Sequence, residues 1–103
     1  MAEVKITVWC KEKQVPHLPK SILAGFISKL ETIAAEPECG KPLWGELKRY
    51  RSLPLGRYRI VYRYVKDTDI AWIIGIGIRK EGSKEDIYNQ IAKLLHSGKI
   101  KLE

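Results

Sequence analysis

Residues 58–78 read YRIVYRYVKDTDIAWIIGIGI. Tyr58–Val65 and Ile70–Ile78 are rich in β-branched and aromatic side chains, and the polar Lys66-Asp67-Thr68-Asp69 between them suits a tight turn. The stretch predicts an antiparallel hairpin, with Ile70–Ile78, the most apolar strand, central in a sheet. Strand side chains alternate between faces. Tyr58, Ile60, Tyr62 and Tyr64 then share one face, and Arg59, Val61, Arg63 and Val65 the other. On the next strand Ile70, Trp72, Ile74, Ile76 and Ile78 form a bulky face. Ala71, Ile73, Gly75, Gly77 and then Arg79 form the opposite one. The bulky set is expected under an amphipathic helix. The small set is expected to floor a shallow groove bordered by Arg59 and Arg79.

Working outward, Leu47–Leu53 predicts a strand paired with this hairpin through a Pro54-Leu55-Gly56 turn. Val4, Ile6 and Val8 alternate with polar or amphipathic residues and predict a first strand. Lys11–Leu18, broken by Pro16, reads as a turn or short helix. Pro19 suits the first turn of a helix whose apolar stripe runs through Ile22, Leu23, Phe26, Ile27, Leu30, Ile33 and Ala34 and stops before Pro37. Ser83 with Asp86 resembles a capping box for a last helix carrying Ile87, Ile91, Leu94 and Leu95 and ending near Gly98. The fold class is therefore α+β: a mostly antiparallel four-stranded sheet, an N-terminal helix or helical hairpin on one face, and a C-terminal helix. Residues 1–98 are expected to form one domain and 99–103 a short tail.

The 103-residue chain carries a net charge of +7. Lys41, Lys48, Arg49, Arg51, Arg57, Arg59 and Arg63 oppose Glu46 alone between residues 41 and 63, so +6 of the +7 lies there. Such a field favours a polyanionic partner. Cys10 and Cys39 have no C-x-x-C spacing and read as free thiols of a reducing compartment. No apolar run is long enough for a membrane span, and no signal peptide is recognised, so a cytoplasmic location is expected. Gly75-x-Gly77 lacks the third glycine of a dinucleotide loop, and neither a P-loop nor a metal-spaced Cys/His set is present. No metal and no cofactor is expected. Trp9, Trp44 and Trp72 are more often core or interface residues than base-stacking platforms; Trp44, in a Pro-Gly loop, is the one that stands apart.

Leu43-x-Gly45, Tyr50-Arg51, Gly56-x-Tyr58-Arg59-Ile60-Val61-Tyr62 and the later Arg79 and Tyr88 resemble the signature of the RelE/ParE toxin superfamily. The predicted element order is similar to that fold over nearly the whole chain. The resemblance implies the toxin of a type II toxin–antitoxin pair, bound by a cognate antitoxin. For RelE-like members it implies a metal-independent endoribonuclease that cuts mRNA on the ribosome and inhibits translation. Arg59 would stabilise charge on the scissile phosphate. Arg79 would act near the leaving 5′-oxygen, as acid or as electrostatic stabiliser. Tyr88 would orient a substrate base, and Arg51 would be the first of two basic residues on the preceding strand. Leu53 stands where the second, a lysine able to act as general base, is expected. Lys48 and Arg49 read as groups positioning RNA phosphates, mRNA and ribosomal RNA alike, and Arg57 and Arg63 as holding anionic partners. Alternatives are a ParE-like toxin that inhibits DNA gyrase and a catalytically inactive RNA-binding relative.

Overall fold

A computed structural model describes residues 1–100. Its strands are β1 (Glu3–Ile6), β2 (Lys41–Pro42), β3 (Arg51–Leu55), β4 (Tyr58–Val65) and β5 (Ile70–Ile78). Its α-helices are α1 (Val8–Lys13), α2 (Lys20–Ala35) and α3 (Ile87–His96), with 3-10 turns at Val15–His17 and Gly45–Leu47. The sheet has five strands rather than four, in the order β1-β5-β4-β3-β2. All neighbours are antiparallel except β1, which joins β5 in parallel.

The hairpin forms as read from sequence, with unbroken alternation on β4, and Asp69 takes the left-handed conformation (φ 55°) that closes its turn. Val8 departs from the pattern. The first strand ends at Ile6 because Thr7 caps α1, its hydroxyl accepting from Cys10 N–H and donating to Ile73 C=O at 3.1 Å. Val8 is left exposed at the start of the helix.

A bulge divides β5. Val61 faces Gly75 but Tyr62 faces Ile73, so Ile74 is an extra residue and alternation changes phase across it. The bulky residues consequently do not share a face. Ala71, Ile73 and Ile76 join Ile60, Tyr62, Phe26 and Ile33 under α2. Trp72 and Ile74 join Val61, Ile87, Ile91 and Leu94 under α3. Past the bulge the Ile76 N–H has left the β1 ladder, and Gln14 Oε1 accepts from it at 2.7 Å.

Gly75 and Gly77 are not an open floor. A Cβ on Gly75 would lie 2.9 Å from Ile91 Cδ1, and one on Gly77 3.0 Å from Ile87 Cδ1. The glycines let α3 sit directly on the sheet. Both faces are therefore helix-covered, and the basic groove lies to one side of this contact.

β3 also starts and ends later than its sequence suggests. Leu47 closes a 3-10 turn, and Pro54 and Leu55 are strand residues, with Gly56 (φ 58°) in the turn. Pro54 is tolerated because β2 pairs only Arg51 and Ser52, leaving β3 an edge at Pro54. The last helix starts at Ile87 rather than just after Ser83. Of the expected tail, Lys99 N–H bonds Leu94 C=O at 3.1 Å and Ile100 packs on the α3 cluster; residues 101–103 lie outside the described residues. No helix among the described residues is long and apolar enough to cross a membrane.

Candidate active site

Parity on β3 and β4 decides which side chains meet. Leu53 and Leu55 pack into the α2 cluster, so Arg51 shares their face, while Ser52 and Pro54 point to the α3 side. Arg59 lies on the α3 side, paired across β5 with Gly77. Arg79, two residues beyond Gly77, continues on that side. Lys41 is the cross-strand partner of Ser52 and projects with it.

These placements build one cavity of about 360 Å³. Its cations are Lys41, Arg59 and Arg79, its aromatic walls Trp44 and Tyr88, and its remaining lining Leu43, Ser52 and Pro54. Among the described residues no carboxylate lines it. Lys41 and Arg59, together with an Arg79 whose charge is shared with Asp86 and Glu81, give this small space the character of a seat for an anion.

The two arginines are held differently. Arg59 Nη1 donates to the carbonyls of Gly56 (3.0 Å) and Tyr58 (2.8 Å), so the β3–β4 turn fixes its fork. Among the described residues it has no carboxylate partner. Arg79 Nη1 donates to Asp86 Oδ1 at 2.6 Å, its Nη2 lies 3.4 Å from Glu81 Oε1, and its guanidinium carbon sits 4.5 Å from the Tyr88 ring centroid. Hydrogen bonding to Asp86 pushes the Arg79 pKa above its ordinary value, offsetting the burial that lowers it. Arg79 thus stays charged and is a poor proton donor. Its backbone N–H also bonds Arg57 C=O at 2.9 Å, locking β5's end to the β3–β4 turn.

Asp86 is 2% exposed and also accepts from Lys80 N–H at 2.6 Å. It sits at the N-cap position of α3 but spends its carboxylate on Arg79 and Lys80 instead of capping. The expected capping box is replaced by this clamp, and Ser83 Oγ accepts from Glu85 N–H at 3.1 Å. Tyr88 follows on the first turn of α3. Its hydroxyl donates to Ser52 Oγ at 2.8 Å, and one face of its ring carries Arg79.

Arg59, Arg79 and Tyr88 are therefore brought together. Arg51 is not: on the opposite face, it donates to Glu38 C=O (3.0 Å) and Gly40 C=O (2.8 Å) and lies 3.6 Å from Glu38 Oε2. It ties down the loop from α2 to β2. Tyr62 ties it from beneath, donating to Pro37 C=O (2.9 Å) and accepting from Gly40 N–H (2.8 Å). The two hold the segment that delivers Lys41. Leu53 is a correction of the same kind: it faces α2, so a lysine there would point away from the cavity, and Ser52 is the residue that β3 offers to it.

Lys48 and Arg49 are exposed and border a separate basic depression with Arg51 and Lys66. Arg57 is exposed in the β3–β4 turn, beside the cavity, and Arg63 lies half-buried two residues past Val61 on the α3 side, away from it. Lys41 and Asp86 are the residues that sequence reasoning missed. Lys41 registers there only as charge; pairing with Ser52 reveals its direction.

A family model for the ParE toxin of type II toxin–antitoxin systems (parDE) matches residues 4–82. The search of curated proteins returns no match. Among solved structures, a chain of the RelBE2 toxin–antitoxin complex from Mycobacterium tuberculosis superposes with TM-score 0.70 at 29% identity, covering 76% of this chain and 98% of that one. The isolated Escherichia coli RelE toxin superposes with TM-score 0.67 at 14% identity, over 92% of this chain and 99% of that one. The latter likeness is one of fold alone. With a family model spanning most of the chain and its fold reproduced, the protein belongs to the RelE/ParE superfamily, as a toxin of the type II toxin–antitoxin class.

Proposed function

We propose that this toxin is an endoribonuclease that cleaves mRNA on the ribosome. The observation carrying the reading is the cavity that unites Lys41, Arg59 and Arg79 with Tyr88 and has no carboxylate in its lining among the described residues. RNA brings its own nucleophile. The 2′-oxygen attacks the adjacent phosphorus, the P–O5′ bond breaks, and a 2′,3′-cyclic phosphate and a 5′-hydroxyl result. The 2′-hydroxyl loses a proton to solvent water, and the 5′-oxygen gains one. Protein groups have to align the nucleotide, stabilise the charge that builds on the phosphate, and manage those protons. Arg59, with no carboxylate partner, and Arg79, fixed by Asp86, serve the phosphate. The Lys41 ammonium is the cation in the cavity able to release a proton to the leaving oxygen, since guanidiniums hold theirs too tightly. Tyr88 orients the RNA. Lys48, Arg49 and Arg57 supply sequence-independent contacts to ribosomal RNA and mRNA. The cellular partner is a cognate antitoxin, in keeping with the M. tuberculosis relative solved as a toxin–antitoxin complex.

Two observations favour a second reading, inhibition of DNA gyrase: β3 offers the cavity Ser52 and Pro54 but no cation, and the matching family model is that of ParE. Primer extension on mRNA after brief induction separates the two. Cleavage within codons, abolished in R59A and R79A, supports the nuclease. Intact mRNA with blocked supercoiling would sink it in favour of gyrase inhibition.

A further inference from the structure

Trp44 is 72% exposed, although exposing an indole contributes nothing to folding. The loop bearing it is not loose. Leu43 and Leu47 on either side are buried, and the backbone is pinned by Leu43 N–H to Tyr50 C=O (3.0 Å), Leu47 N–H to Trp44 C=O (3.2 Å) and Tyr50 N–H to Leu47 C=O (2.9 Å). A large aromatic side chain is thus held out to solvent by a fixed backbone.

Its position gives that exposure a use. Trp44 borders the cationic cavity and also a second cavity of about 280 Å³ on its other flank. Leu43 and Tyr88 likewise line both, so the two spaces adjoin along one aromatic seam. The first is cationic. The second has Gly45, Leu47 and Ala92 as its apolar lining and Glu46 and Asn89 as its polar groups. Asn89 Nδ2 donates to Ser83 C=O at 2.7 Å, which leaves that side chain's Oδ1 as an acceptor. Glu46 Oε2 is held by His96 Nε2 at 2.5 Å, which leaves its Oε1 as the acceptor on that side. An anionic seat beside an aromatic, acceptor-edged pocket has the polarity of a nucleotide: phosphate in one, base in the other.

We propose that Trp44 is the stacking wall of a nucleobase subsite that takes the base flanking the scissile phosphate, with preference for a base bearing an exocyclic amine over uracil. The subsite rests on the endoribonuclease reading above. Stacking on an aromatic side chain tolerates any base, and the Glu46 and Asn89 acceptors supply the bias toward amino groups.

The test uses purified ribosomes programmed with mRNAs in which each base of the A-site codon is varied, with cleavage rates measured for wild type, W44A, W44F and R59A. W44A is expected to lower kcat/KM about 5- to 100-fold, the scale of one lost base stack, and to flatten discrimination at a single codon position. W44F, which keeps a stacking ring, restores most of both. Circular dichroism establishes that W44A is folded, as its exposure predicts. A W44A profile identical to wild type, with R59A inactive, overturns the subsite and leaves the nuclease intact. If W44A cleaves normally but binds antitoxin weakly, the cavity holds a protein side chain and the proposal is likewise overturned. Absence of cleavage by the wild type overturns the nuclease reading and the subsite with it.

Discussion

The D86N variant probes how the site is held, because it removes a charge while conserving shape. The Asp86 carboxylate is 2% exposed and receives two hydrogen bonds of 2.6 Å, from Arg79 Nη1 and from Lys80 N–H. Both fall on Oδ1, so an amide oxygen in that place can still accept them, but neither keeps its charge assistance and the Arg79 charge loses its buried counter-ion. Breaking a fully buried ion pair costs about 3–5 kcal/mol. Here the Arg79 side chain is 26% exposed and water recovers part of that loss, so D86N should cost about 2–3 kcal/mol. R79M leaves the carboxylate buried with only the Lys80 N–H, so the double variant D86N/R79M should be less destabilised than the sum of the singles, by about 1–3 kcal/mol. Urea unfolding of all four proteins yields these numbers from the midpoints, provided the denaturant slope is unchanged. In the cleavage assay D86N should lower kcat more than it raises KM, because Arg79 is still present but no longer aimed. Additive single-variant effects, or a D86N midpoint equal to wild type, would refute the clamp.

Three further outcomes are expected. K41A should slow cleavage by about 100-fold or more, the low end for a lost general acid, and K41R should not rescue it; full activity in K41R would reduce Lys41 to a bare charge. G75A should cost about 1–3 kcal/mol by overpacking, since its Cβ would stand 2.9 Å from both Ile91 Cδ1 and Gln14 Oε1; an unchanged melting temperature would mean that these two side-chain ends swing aside and that the approach of α3 does not depend on a glycine at 75. Burial pushes the Cys10 thiol from 9.0 up to about 12 and the Tyr62 hydroxyl from 10.0 up to about 12. The folded protein then retains protons that the unfolded chain releases, so stability is intact below about pH 9 and is lost as pH rises towards 12, with Cys10 contributing about 2 kcal/mol of loss by pH 10.5; C10A should flatten this alkaline slope, and an unaltered slope would contradict the burial of that thiol.

The residues whose directions were legible in sequence are those on unbroken alternation. Tyr58–Val65 shows its period throughout, so Arg59 is placed on the correct face from sequence alone. Ile70–Ile78 hides its bulge, because Ile73-Ile74-Gly75-Ile76 is apolar or glycine at every position and no polar residue marks the change of phase. That hidden residue turned Gly75 and Gly77 into an apparent floor, when their missing Cβ atoms are what admits α3. Val8 keeps the period of β1 but loses to Thr7, whose hydroxyl starts a helix. The errors on β3 share another cause. A proline normally ends a strand, and Pro54 remains in one because β2 stops short of it. Arg51 has its place at the groove only by likeness of motif, and Leu53 marks where that motif has a lysine; parity turns both positions toward α2 and gives the groove Ser52. Lys41 could not be found along the chain at all, since its role comes from a two-residue strand whose pairing is settled by Tyr62 and Arg51 gripping the loop before it. If that grip is what aims Lys41, then Y62F, far from any substrate, should depress cleavage as well as stability. It removes the acceptor of Gly40 N–H and the donor to Pro37 C=O, a loss of about 1–3 kcal/mol for the buried groups left unpaired. Y62F that is destabilised yet cleaves at the wild-type rate when fully folded would show that Lys41 is aimed by β3 alone.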